Sequence, residues 1–241
     1  VGFALTTVGA RDEARVAIEA GIALAQAVGS PGTVRHGQMN LMCWSSTFGP
    51  DRELDKMLEE PRRVADGAAA GSWVPHDRAT LGVLFYRGLE LLRDPAGSSD
   101  TARTLLRTAA NGYRATKMLD VVPVALGFWA EAERRAGAPE RAIELATEAV
   151  QLLAEGSPSL LNEAPVFLAL HDACVDLGRL PEAKEAIRNG MPRLVLRVNG
   201  LAGTPYVRDF LTELVQNAGL IAAAEAYDLV PPELTPYLSG S

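Results

Sequence analysis

The stretch GAPERAIELATEAVQLLAEG runs from Gly137 to Gly156 and decides how the rest of the chain is read. It opens on a turn, Gly137-Ala138-Pro139, and Pro139 suits a first helical turn, where its missing N–H costs nothing. Ala142, Ile143, Ala146, Ala149, Val150 and Leu153 then fall at i, i+1, i+4, i+7, i+8 and i+11, which is one face of a helix. Leu145 and Leu152 add a second apolar stripe, so this helix has neighbours on two sides. The small alanines allow close approach, and Gly156 supplies a left-handed C-terminal stop.

The same pattern recurs. Gly9, Gly97, Gly137, Gly178 and Gly219 are each followed five residues later by alanine, at 14, 102, 142, 183 and 224. Gly49 is followed by Leu54, the one mismatch. Successive glycines are 40, 48, 40, 41 and 41 residues apart. Twelve residues past each stands Gly21, Pro61, Ala109, Ala149, Gly190 or Pro231, never a large side chain. Helical segments precede the later glycines, at 121–136, 163–177 and 204–218. The expected fold is therefore all-α: an α-solenoid of about six antiparallel helix pairs with a period near 40–41 residues. Each period would be a first helix, a tight turn at glycine, a second helix and a link. The repeat domain is expected to span 1–228, with 229–241 a terminal cap and tail.

The spacing Gly–x4–Ala–x6–small resembles the tetratricopeptide (TPR) signature, with Ala130, Gly137, Ala142 and Ala149 in its slots. Glu133 stands where that signature has an aromatic, no Pro closes the unit, and the period exceeds about 34 residues. The longer period is similar to the divergent TPR arrays of large bacterial regulators, signal-transduction ATPases and Ser/Thr kinases. The resemblance implies a cytoplasmic, non-catalytic interaction scaffold whose ligands lie against the concave first helices. By projection Glu131, Arg134, Asp172, Val175, Asp209, Glu213 and Gln216 face that groove, with Arg87, Met39 and Cys43 further upstream. The C-terminal half of the groove would be acidic. The partner would be a peptide segment or another domain of a parent chain. The alternative is a small-molecule sensor controlling a regulatory ATPase or kinase, for which Trp44, Trp73, Phe85, Tyr86 and Trp129 could close a pocket.

Composition agrees. Apolar residues are 48% of the 241, enough for a core, and no apolar run approaches about 18 residues, the length of a membrane span. The formal charge of −7 disfavours nucleic acid, which needs clustered cations against phosphates. Lys184, Arg188, Arg193 and Arg197 form a local basic stripe, read as a solvated convex face. Cys43 and Cys174 are expected to be buried free thiols. No phosphate loop, zinc motif or nucleophile elbow is present, so no catalytic residue, metal or cofactor is expected. His171 takes the small-residue slot one period after Ala130 and reads as a packed, hydrogen-bonded histidine. Its i, i+3 partner Cys174 lacks an orienting group, which argues against a nucleophile and base. Pro61 and Pro192 should kink or split their helices. The extra residues near 70–77 and 94–100 are either loops on the binding face or a longer helix pair. The start VGFALTTVG reads as the end of a first helix, so the chain is expected to be a fragment of a longer protein.

Overall fold

The computed structural model describes residues 1–49, 51–70, 77–94, 97–156, 159 and 161–238. Trp73 and most of the expected insertion at 70–77 lie outside the described residues, as do residues 95 and 96 of the one at 94–100 and the last three residues of the tail. Among the described residues there are thirteen helices and no strand. The chain divides into two units, Val1–Met118 and Leu119–Ser241.

The first unit holds α1 (Gly2–Thr7), α2 (Arg11–Ala27), α3 (Pro31–Phe48), α4 (Asp55–Ala70), α5 (Arg78–Arg93) and α6 (Ser99–Ala115). Helix α1 packs on α2 and α3, α3 on α5, and α5 on α6, while α4 fills the angle between α3, α5 and α6. Trp44, Leu41, Met42, Phe85, Leu81 and Leu105 are buried at its centre. The Trp44 indole N–H reaches the Arg11 carbonyl at 2.8 Å and so satisfies its one polar atom.

The second unit holds α7 (Val122–Arg135), α8 (Pro139–Ala154), α9 (Ala164–Asp176), α10 (Leu180–Leu201), α11 (Val207–Thr212), α12 (Val215–Ala226) and α13 (Thr235–Leu238). Helices α7 and α8 form one hairpin and α9 and α10 the next, with α9 packed on both α7 and α8. The approach of α7 to α9 requires glycine: a Cβ at Gly127 would lie 2.9 Å from the Val166 Cα. In the tail, α13 packs on α11, and Leu234 just before it is fully buried.

Helix starts follow local chemistry. Proline occupies one of the first two positions of α3, α7, α8, α9 and α10. Asp77 and Ser98 cap α5 and α6 by accepting the N–H of Thr80 and Thr101. The turn at Gly137 is a left-handed closure, φ +81°, in which the Gly137 N–H reaches the Arg134 carbonyl and the Ala138 N–H the Glu133 carbonyl. Gly9 and Gly178 close their helices with the same pair of bonds. All six positions five residues past a repeat glycine are buried, Ala14, Leu54, Ala102, Ala142, Ala183 and Ala224 being at most 1% exposed.

Three expectations need correction. Gly219 lies inside α12 rather than at a turn, and the expected helix over 204–218 is two helices with the break at Glu213-Leu214. Leu214 is extended and buried, and Asn217, wholly buried, donates from Nδ2 to the Phe210 carbonyl at 2.7 Å. That bond satisfies a carbonyl at the end of α11, and Asn162 completes the buried amide by donating to Asn217 Oδ1 at 2.6 Å. Neither Pro61 nor Pro192 splits its helix. In α10 the buried stripe Ala183, Ile187, Gly190, Leu194 and Val198 continues past Pro192, so packing outweighs the one lost hydrogen bond. Finally, the basic stripe is not uniformly solvated. Arg193 and Arg197 are half-buried, Arg193 capping the Leu153 carbonyl at the end of α8 at 2.6 Å and Arg197 holding the Ser159 and Leu161 carbonyls. Both approach Glu163, a carboxylate 7% exposed.

Candidate functional site

In the second unit, α7 and α9 lie side by side, and of the residues projected onto the groove Glu131 and Arg134 are on α7 and Asp172 and Val175 on α9. Arg134, in the last turn of α7, forks onto Glu131 at 2.7 and 3.0 Å. Its remaining nitrogen reaches Asp176 of α9 at 3.0 Å, 42 residues away. Arg135 also donates to Glu131. The Glu131 and Arg134 side chains are only 18% and 22% exposed, so these bonds hold a fixed planar pair. The hydrogen bonds to Glu131 push the Arg134 pKa above its already high ordinary value. The acidic character expected of this surface is therefore partly neutralised in place.

One turn back on α9, Asp172 is hydrogen-bonded to His171 Nδ1 at 2.7 Å, and His171 Nε2 meets the Tyr227 hydroxyl at 3.2 Å. Lys184 sits over the Tyr227 ring at 5.9 Å. His171 is thus the packed, hydrogen-bonded histidine that its slot suggested. Val175, 39% exposed, leaves an apolar spot on the same helix as Asp172 and Asp176. Asp209 and Glu213 belong to short α11 and its C-cap, and Gln216 to the first turn of α12. The break between those helices removes the single face on which the three were projected.

Arg87 lies in the first unit, on α5. It forks onto Asp66 of α4 at 2.9 and 3.1 Å and touches Glu90 at 3.3 Å. Glu90 is a hub: it accepts from Ser45 of α3 at 2.8 Å and from Arg62 of α4 at 2.9 and 2.8 Å. Arg62 extends the chain of charges to Asp55 at 2.8 Å. Beside this network an open cleft of about 460 Å³ runs along α4, α5 and α6, lined by Asp66, Arg87, Leu91, Ser98, Thr101 and Thr104. Sequence reasoning missed Glu90, Arg62, Ser45 and Asp176. The only local signals were spacings: Glu90 is i+3 from Arg87, and Asp176 is i+4 from Asp172.

Met39 and Cys43 are buried rather than presented to a groove. Burial pushes the Cys43 thiol up to about 11, hydrogen bonds with Tyr86 and Thr47 opposing only part of the shift. Cys174 is likewise a buried free thiol, raised first by burial. Among the described residues no group of three or more His, Cys, Asp or Glu could hold a metal ion. Nor, among them, is any helix long and apolar enough to cross a membrane.

No known protein family, curated protein or solved structure matches this chain.

Proposed function

We propose that this chain is a TPR-like interaction scaffold, of the kind carried by large bacterial regulators, that holds a peptide segment or a neighbouring domain against its first helices. One observation supports the reading above the others. Within each unit, successive first helices are pinned to each other about one period apart: Arg134 to Asp176 in one, Ser45 to Glu90 in the other. Such pins keep a line of mixed charge rigid and leave exposed acids and the apolar Val175 beside it. A prearranged surface of this type loses little entropy on binding. The partner that fits it is a basic segment, since Asp172, Asp176 and Glu213 remain at least partly exposed after the internal pairs are made.

The test is a peptide array probed with the purified chain, followed by titration of the hits. Reversing Asp172 and Glu213 to Lys should weaken binding at least tenfold with little change in helicity. Reversing Glu144 and Glu155 at α8 should not. Binding should also fall with salt, because exposed charges are screened over about 10 Å at 0.1 M. Equal losses from both double variants would reduce the effect to net charge.

A second reading rests on the first unit's cleft. Its volume lies within the roughly 300–1,000 Å³ of small-molecule pockets. A sensor reading would place a polar ligand between Arg87 and the hydroxyls of α6. Ligand-dependent thermal shifts abolished by Thr104→Trp, with peptide binding absent, would favour it over the scaffold.

A further inference from the structure

The dipeptide Asn-Gly occurs three times, at Asn111-Gly112, Asn189-Gly190 and Asn199-Gly200. In this pair the asparagine amide is open to attack by the next backbone nitrogen, because glycine brings no side chain to obstruct the approach. A helix blocks the attack. It ties that nitrogen to the carbonyl four residues back and holds it away from the amide carbon, so reaction waits for the turn to open. The three copies differ in what opening requires. Gly112 lies inside α6 and Gly190 in the middle of α10, and both are buried. A Cβ added at Gly112 would lie 2.2 Å from Leu81 Cδ2 of α5, and one at Gly190 2.9 Å from Phe167 of α9. Neither stretch of backbone can open without unpacking a neighbouring helix. Asn199 and Gly200 are both exposed in the last turn of α10, and nothing lies within 4 Å of a Cβ added at Gly200. Just beyond, Ala202 is extended at ψ 134° and Gly203 is left-handed at φ +81°. The Ala202 N–H closes this last turn on the Asn199 carbonyl at 3.3 Å, and helix ends of this kind fray.

We propose that Asn199-Gly200 is a site of spontaneous covalent modification, in which Asn199 deamidates through a succinimide while the other two Asn-Gly pairs are protected by the fold. The Gly200 backbone nitrogen attacks Asn199 Cγ. A C–N bond forms, the Cγ–Nδ2 bond breaks, and the proton from the attacking nitrogen leaves with the departing amide as ammonia. Water, the one co-reactant, then opens the five-membered ring at either carbonyl and leaves aspartate or isoaspartate. The modification has a local structural consequence. It places a carboxylate in the last turn of α10, at the negative end of the helix dipole. Isoaspartate also routes the main chain through the side-chain carbon, so the bond from the Ala202 N–H can no longer close the turn. The turn therefore loosens where α10 leads into α11. Val198, 2% exposed, anchors the helix just before it, so the change stops there.

Peptide mapping by mass spectrometry tests this, because trypsin puts each Asn-Gly on its own peptide, 108–114, 189–193 and 198–208. The purified chain is incubated near neutral pH at 37 °C, native and in urea, then digested in mild acid to prevent reaction during work-up. The ratio of the urea rate to the native rate measures how far the fold protects each site. That ratio should be at least tenfold smaller at Asn199 than at Asn111 or Asn189. Incubation in ¹⁸O-water should put one heavy oxygen into the 198–208 product, as ring opening by water requires. Gly200→Ala adds a methyl group that the fold has room for, and it should slow reaction at Asn199 at least tenfold with the helical spectrum unchanged. Equal protection at all three sites overturns the proposal. So does an Asn199 rate that Gly200→Ala leaves as it was, or a 198–208 product without the heavy oxygen.

Discussion

Glu90 offers the sharpest test of how the first unit is held together. Its carboxylate is 9% exposed and accepts one bond from Ser45, two from Arg62 and one from Arg87. Glu90→Ala deletes the acceptor and leaves four donor groups on three side chains behind. Breaking a buried ion pair by removing one partner costs about 3–5 kcal/mol. Two features reduce that here. Each arginine side chain keeps about 20% exposure, and each retains another carboxylate, Asp55 for Arg62 and Asp66 for Arg87. The stranded Ser45 hydroxyl adds about 1 kcal/mol in the other direction. The expected loss for Glu90→Ala is about 2–3 kcal/mol. Glu90→Gln preserves the shape and the Ser45 bond but removes the charge, and should cost about 1–2 kcal/mol. Urea unfolding should be followed by the fluorescence of Trp44, buried in the same unit, in a background with Trp73 and Trp129 changed to Phe, and by circular dichroism for the whole chain. Two probes are needed because two units can unfold separately. Losses below about 0.5 kcal/mol for both variants, the level of an ordinary surface change, would refute the argument that Glu90 joins α3, α4 and α5.

Three further outcomes are expected. Gly137→Ala should cost about 1–2 kcal/mol from backbone strain alone, since φ is +81° and nothing lies within 4 Å of the added Cβ, whereas Gly67→Ala, inside α4 with equal space, should be neutral or stabilise by up to about 1 kcal/mol in the same urea assay. Asp77→Ala should cost about 1 kcal/mol at neutral pH. Burial alone would push the Asp77 carboxyl up, but hydrogen bonds from the Thr80 hydroxyl and N–H, helped by Arg35, outweigh it and leave the pKa below the ordinary value. A carboxyl with a depressed folded pKa stabilises above its unfolded pKa of about 3.9, and that stability fades as pH falls through the folded pKa. The difference in thermal midpoint between Asp77→Ala and wild type should therefore shrink in acid and persist at neutral pH. Cys43, buried and pushed up to about 11, should resist a thiol reagent in the native chain at pH 8 and react only on unfolding, as a time course of labelling would show.

Much of this protein was legible in its sequence because helix chemistry is local. The 3.6-residue apolar spacing of 142–153, proline at helix starts and glycine at Gly9, Gly137 and Gly178 act over four or five residues, and the helices stand where those signals put them. The buried alanine five residues past Gly9, Gly97, Gly137 and Gly178 was also written in the spacing, because a hairpin brings that position under the preceding helix. The candidate groove was only partly legible. Its charged residues could be assigned to helices, but which carboxylate each arginine would claim depends on helices about 40 residues apart in sequence. Arg134 reaches Asp176, Arg193 caps the Leu153 carbonyl, and Glu90 gathers Ser45 and Arg62. No local pattern encodes those pairings. The same holds where the repeat failed. Asn217 reads as one polar residue in an apolar helix, and only its burial against Phe210 and Asn162 shows why 204–218 breaks in two. Sequence by itself determined the helices and most of their ends, since propensity and capping are settled within a turn. Tertiary structure decided which charges are spent holding helices together and which stay exposed, since that depends on distances the packed helices set.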